Sequence, residues 1–145
     1  PLSSIASRYA TANGLGSTTI NATAHTITAS TNASGGYVIT LSGTTLTSGS
    51  STINAIGGTA LSPAIGAEQF GVSVSVATGT GSGIAPYATS SQYAFATSSF
   101  PDDIASGLGD SISTTFNLSY LANIAANTEA GVYNSQVTYT VTGAF

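Results

Sequence analysis

The sequence contains no cysteine, no lysine and no tryptophan, and only 4% of its residues are charged. Without cysteine there is neither a disulfide framework nor a thiolate metal site. Without lysine, with Arg8 as the single strong cation, there is no basic patch to neutralise phosphates, so nucleic acid is excluded as a partner. Lysine–asparagine isopeptide cross-links are excluded by the same absence. No apolar run approaches the eighteen or so residues of a membrane span, so no membrane insertion is expected. Pro1 is not an initiator methionine, and the chain reads as processed or excised.

An ordinary soluble domain carries about 25% charged residues. Here Ser, Thr, Asn and Gly fill the surface positions, as in Thr44, Thr45, Ser48, Ser50 and Ser51. Hydroxyls hydrate a surface without repelling a neighbour. A net charge of −4 over 145 residues leaves little long-range repulsion, and self-association is the natural expectation. Few titrating groups also imply weak dependence of stability on pH and tolerance of acid.

One domain over 1–145 fits the length, which suffices to bury roughly two-thirds of the unfolded surface. From Pro1 to Ala12, Leu2, Ile5, Ala6 and Tyr9 fall at helical spacing before the stop signal Asn13-Gly14, which predicts a short helix or an irregular arm over 1–16. From residue 17 the apolar period changes to two. Tyr37, Ile39 and Leu41 alternate with polar residues; so do Phe70, Val72, Val74 and Val76; Ile112, Phe116, Leu118 and Tyr120; and Tyr133, Val137, Tyr139 and Val141. Weaker strands are expected over 17–22, 25–30, 52–56 and 92–97, bounded by Asn32, Gly35-Gly36, Gly57-Gly58 and Pro101-Asp102. About eight short strands predict an all-β, Ig-like or pilin-like antiparallel sandwich over 17–145, with a closed barrel as the second architecture.

Chemistry has few places to reside, and no cofactor is implied. His25 is the only imidazole, on a strand where an ordinary sheet histidine is expected and not a catalytic triad member. Asp102, Asp103 and Asp110 concentrate in one loop, where oxygen ligands suit calcium and where a solvated turn is the alternative. Glu68 and Glu129 are too distant in sequence to be read as an acid–base pair. Gly79, Gly81 and Gly83 follow a strand without opening a helix, so they read as a hairpin or loop and not a phosphate cradle. Asn21, Asn32 and Asn117 each begin an N-glycosylation sequon. Tyr37, Tyr120 and Tyr139 are expected in the core, which leaves Tyr87, Tyr93 and Phe100 as the exposed aromatic set for sugar stacking.

Three segments carry a resemblance: His25-Thr-Ile-Thr-Ala-Ser-Thr-Asn-Ala-Ser-Gly-Gly-Tyr37, Gly66-Ala-Glu-Gln-Phe-Gly71, and Tyr120-Leu-Ala-Asn-Ile-Ala with Thr128-Glu-Ala-Gly-Val-Tyr133. Together the chain resembles prokaryotic cell-surface β-sandwich domains of pilin-like and spore coat protein U-like type. The resemblance implies a sandwich displayed outside the cell, in families whose subunits complete one another's sheets with a donated strand. The disulfide of many fimbrial subunits cannot exist in this chain. The expected function is therefore non-enzymatic: a subunit of an extracellular filament or surface layer whose partners are copies of itself. Leu2, Ile5 and Tyr9 are the candidate contact residues on the arm. The alternative is a surface display or adhesion module that binds glycan or protein ligands.

Overall fold

In the computed structural model, residues 7–11, 14–109 and 112–145 are described, with the backbone alone at 10, 11, 14 and 15. These residues form antiparallel strands and, among them, no helix. The strands are β1 (Ser7–Thr11), β2 (Gly14–Ser17), β3 (Thr23–Ala29), β4 (Tyr37–Gly43), β5 (Leu46–Ser48), β6 (Ser51–Ile53) and β7 (Gly57–Leu61). They continue with β8 (Gln69–Thr78), β9 (Ser82–Gly83), β10 (Tyr93–Phe95), β11 (Asp102–Gly107), β12 (Thr114–Asn123) and β13 (Val137–Gly143).

Two sheets stack as a sandwich. The larger runs β2-β1-β12-β8-β10-β7, with β3 also on β12; the smaller runs β13-β4-β11-β9. The spine is β12, which pairs with β8 from Thr115 to Asn123. Its other edge is shared, β3 taking Thr114 to Ser119 and β1 taking Leu121 to Asn123. The β5–β6 hairpin stands apart from both sheets, with Leu46 opposite Ile53 and both side chains buried.

The core follows the alternation. Tyr37, Ile39 and Leu41 of β4 are buried, as are Phe70, Val72 and Val74 of β8 and Phe116 and Leu118 of β12. Toward its end β12 is buried on both faces, because Leu121 and Asn123, opposite in parity to Phe116 and Leu118, are also fully enclosed. Tyr9 lies directly opposite Leu121, and its ring meets that of Tyr93 at 6.0 Å. Asn123 Nδ2 donates to the Ala64 carbonyl at 3.0 Å and to Gln69 Oε1 at 2.7 Å. The segment before β8 thus closes the outer face at this end.

Several expectations need correction. Residues 7–11, read as helix or free arm, form a strand between β2 and β12, because pairing with β12 buries Tyr9 against Leu121 and Tyr93. Leu2 and Ile5 lie outside the described residues. The expected strand over 17–22 ends at Ser17 and gives way to a turn with Asn21 at φ 57°. Ile112 precedes β12 and is 70% exposed, and Tyr133 precedes β13. Asp102 and Asp103 belong to a strand and not a loop, since β11 pairs with β4 through Asp102↔Leu41 and Asp103↔Thr40. Eight strands become thirteen because short segments, such as β5 and β9, are too brief to show a period.

Glycine is required at two contacts. The β11 residue Gly107 lies under the buried Tyr37 ring, where an added Cβ would stand 2.2 Å from Cε1. Gly79 turns the chain after β8 at φ 98°, and a Cβ there would meet the Thr114 backbone at 2.6 Å.

Candidate functional site

One side of the sandwich is open along two sheet edges at once. Among the described residues β13 pairs only with β4, and β3 pairs only with β12. The two edges flank the same opening, because His25 of β3 and Tyr139 of β13 place their rings 5.5 Å apart.

Hydrogen-bond phase decides which groups of β13 face outward. At its two ends, Thr44 N–H donates to the Gln136 carbonyl and Ala144 N–H donates to the Gly36 carbonyl, and the register between them is unbroken. Even-numbered residues therefore bond to β4, and the backbone groups of Val137, Tyr139, Val141 and Gly143 point away from the sheet. This edge is seven residues long, roughly 23 Å, without a charged residue or proline. The edges of soluble proteins are ordinarily guarded by lysine, proline or a bulge. None guards this one.

A chain of polar aromatic groups bridges the two sheets behind the edges. His25 Nε2 lies 2.9 Å from the Tyr120 hydroxyl, and the hydroxyls of Tyr120 and Tyr139 are 2.5 Å apart. The Tyr120 ring stacks on Phe70 at 6.3 Å. Burial lowers the His25 pKa against an opposing backbone hydrogen bond at Thr26, and so favours the neutral ring. With the ring neutral and its proton on Nδ1, Nε2 accepts from the Tyr120 hydroxyl and the Tyr139 hydroxyl donates to Tyr120. Burial raises both phenol pKa values, so neither serves as a base near neutral pH. The cluster contains no carboxylate or nucleophile; its chemistry is that of a neutral hydrogen-bonded clamp between sheets.

The other expected site residues are dispersed. Asp102 is held on both oxygens, accepting from the Tyr87 hydroxyl at 2.6 Å and from Ser99 Oγ at 2.8 Å. Asp103 is exposed beside it, and Asp110 lies outside the described residues. No group of three metal-ligating side chains occurs among the described residues. Glu68 accepts from Thr128 Oγ1 and Asn54 Nδ2, while Glu129 accepts from Ser51 Oγ. Tyr87 and Tyr93 are fully buried, which corrects their expected place in an exposed aromatic platform. Burial pushes the Tyr93 phenol up to about 12, opposed by a hydrogen bond from the Asn21 backbone. Of the sequons, Asn21 and Asn32 are exposed and Asn117 is half-buried on the central strand. Tyr9 is buried in its own molecule and stands on no exposed arm.

Comparison with known proteins finds no match among protein families, curated proteins or solved structures.

Proposed function

We propose that the chain is a structural subunit of an extracellular filament or surface layer, assembling non-covalently with copies of itself through its open sheet edges and catalysing no reaction. The observation that carries this reading is β13: seven residues with one side unpaired, no charge, no proline, and β3 open beside it. An added strand gains main-chain hydrogen bonds along such an edge, and side chains of alternate residues set its register. A near-neutral exterior removes the charge repulsion that would keep copies apart. The sequence resemblance to pilin-like surface domains points the same way. The burial of Tyr9 moves the expected contact from the N-terminal arm to the β3–β13 side.

Negative-stain microscopy and sedimentation velocity of purified protein test the proposal. Fibres or sheets whose amount rises with concentration are expected. A monodisperse particle of single-chain mass at every concentration tested would overturn it.

A further inference from the structure

Away from the open side, a cleft of about 490 Å³ lies where β8 runs past β9. Its floor includes Ser73 of β8 and Ser119 of β12, directly opposite each other in the sheet. Only 8% of Ser73 and 5% of Ser119 is exposed, yet no hydrogen bond among the described residues engages either hydroxyl. Neither oxygen is among the described side-chain atoms that are fully enclosed without a partner, so both hydroxyls open onto the cleft, where two adjacent groups that donate and accept face any ligand. Ser75, Ser90, Ser91 and Asn21 continue the same chemistry around the cleft. Asn21 and Ser91 are also the only non-glycine residues with left-handed backbone among those described. No charged or titratable side chain lines the cleft, and the exposed Ala88 supplies an apolar group among the hydroxyls.

We propose that this cleft binds a neutral carbohydrate. An anionic or cationic ligand would enter without a counter-charge, and a purely apolar one would leave the two serine hydroxyls unpaired. A sugar ring presents hydroxyls that both donate and accept, as serine does. The cleft volume lies in the range of small-molecule sites. This inference is independent of edge assembly, because the cleft lies on neither β3 nor β13.

Calorimetry and affinity electrophoresis against neutral glucan, mannan and galactan oligosaccharides, with an acidic uronan as comparison, test it. Saturable binding to at least one neutral oligosaccharide is expected, unchanged by added salt. Ser73→Ala and Ser119→Ala should each weaken it roughly threefold to tenfold, the loss of one neutral hydrogen bond. Ser75→Tyr, which fills the cleft from an exposed position, should abolish it, while Thr52→Ala on the distant hairpin should leave it unchanged. Matching melting temperatures verify that each variant is folded. Absence of binding across the neutral panel overturns the inference, as does binding that survives the Ser73→Ala/Ser119→Ala double variant. Preference for the uronan with strong salt dependence also overturns it. Loss of self-assembly in Ser75→Tyr, with no glycan bound by the parent, would assign the cleft to a second copy instead.

Discussion

The substitution Val141→Pro separates assembly from folding. Val141 is half exposed on β13, and its N–H lies on the side away from β4, so proline there removes no bond of the β4 ladder. The proline φ and the restriction it places on Thr140 are both compatible with extended backbone. Monomer stability should therefore change little, by less than about 1 kcal/mol. For a strand added to β13 the outcome is different. Val137, Tyr139, Val141 and Gly143 offer the outward N–H and C=O groups, and proline deletes one donor from the middle of the row. A partner carbonyl left buried without its donor costs about 1–3 kcal/mol. At 1.4 kcal/mol per tenfold, the concentration needed for assembly rises roughly fivefold to a hundredfold. Thr140→Pro is the contrast, since its N–H belongs to the β4 ladder and its loss should lower the melting temperature. The assay is sedimentation velocity over a concentration series, with thermal melts of each variant. A Val141→Pro protein that melts and assembles like the parent would refute the assignment of β13 as the contact edge.

Three further outcomes follow from the interior. Burial raises the phenol pKa values of Tyr87, Tyr93, Tyr120 and Tyr139, so the unfolded chain releases these protons first: stability is intact below about pH 10 and falls steeply above it, which alkaline melts followed by circular dichroism will register. On the acid side His25, its pKa lowered by burial, acts in the opposite sense: stability holds above about pH 6.5 and declines modestly below it, and His25→Gln should remove that decline in urea titrations at several pH values. Gly107→Ala drives a methyl into the Tyr37 ring, and an overpacking loss of about 1–3 kcal/mol is expected in denaturant unfolding, where an unchanged midpoint would contradict the contact.

Where the alternation was strong, the sequence could be read directly. Tyr37, Ile39 and Leu41, with Phe70, Val72 and Val74, point into the core as expected, because a strand exposed on one face must segregate its apolar residues. The alternation fails where both faces are covered. Around Leu121 and Asn123 burial no longer depends on parity, and Tyr93 faces Tyr9 across a junction that no local pattern encodes. The N-terminal stretch misleads for a related reason: the spacing of Leu2, Ile5 and Tyr9 fits a helix, but a long-range partner, β12, decides the outcome for Ser7 to Thr11. The open edge was half visible. An uncharged Val-Thr-Tyr-Thr-Val-Thr run without proline signals an unguarded strand, whereas its place at the margin of a sheet depends on topology. The two free serines were hidden among many others, since only register sets Ser73 opposite Ser119 beneath a cleft.

The scarcity of charge bears on both proposals through one physical effect. A lysine or glutamate on β13 would have to be desolvated when a strand docks, and that penalty is how most edges are kept single. Threonine carries no such penalty: its hydroxyl can exchange a water for a partner's hydroxyl or carbonyl, as Thr28 and Thr115 do across β3 and β12 at 3.1 Å. A surface built from such groups stays hydrated when alone and can be covered at modest cost. Replacing Thr138 and Thr142 of β13 with lysine should therefore act on association more strongly than on folding, because both residues are exposed and their charges meet water in the monomer but a neighbour in the polymer. The expected signature is loss of fibres at low ionic strength and partial recovery in high salt, where screening weakens the repulsion between like charges. If the double-lysine protein assembles as readily as the parent at low salt, β13 does not lie at the contact, however open its edge.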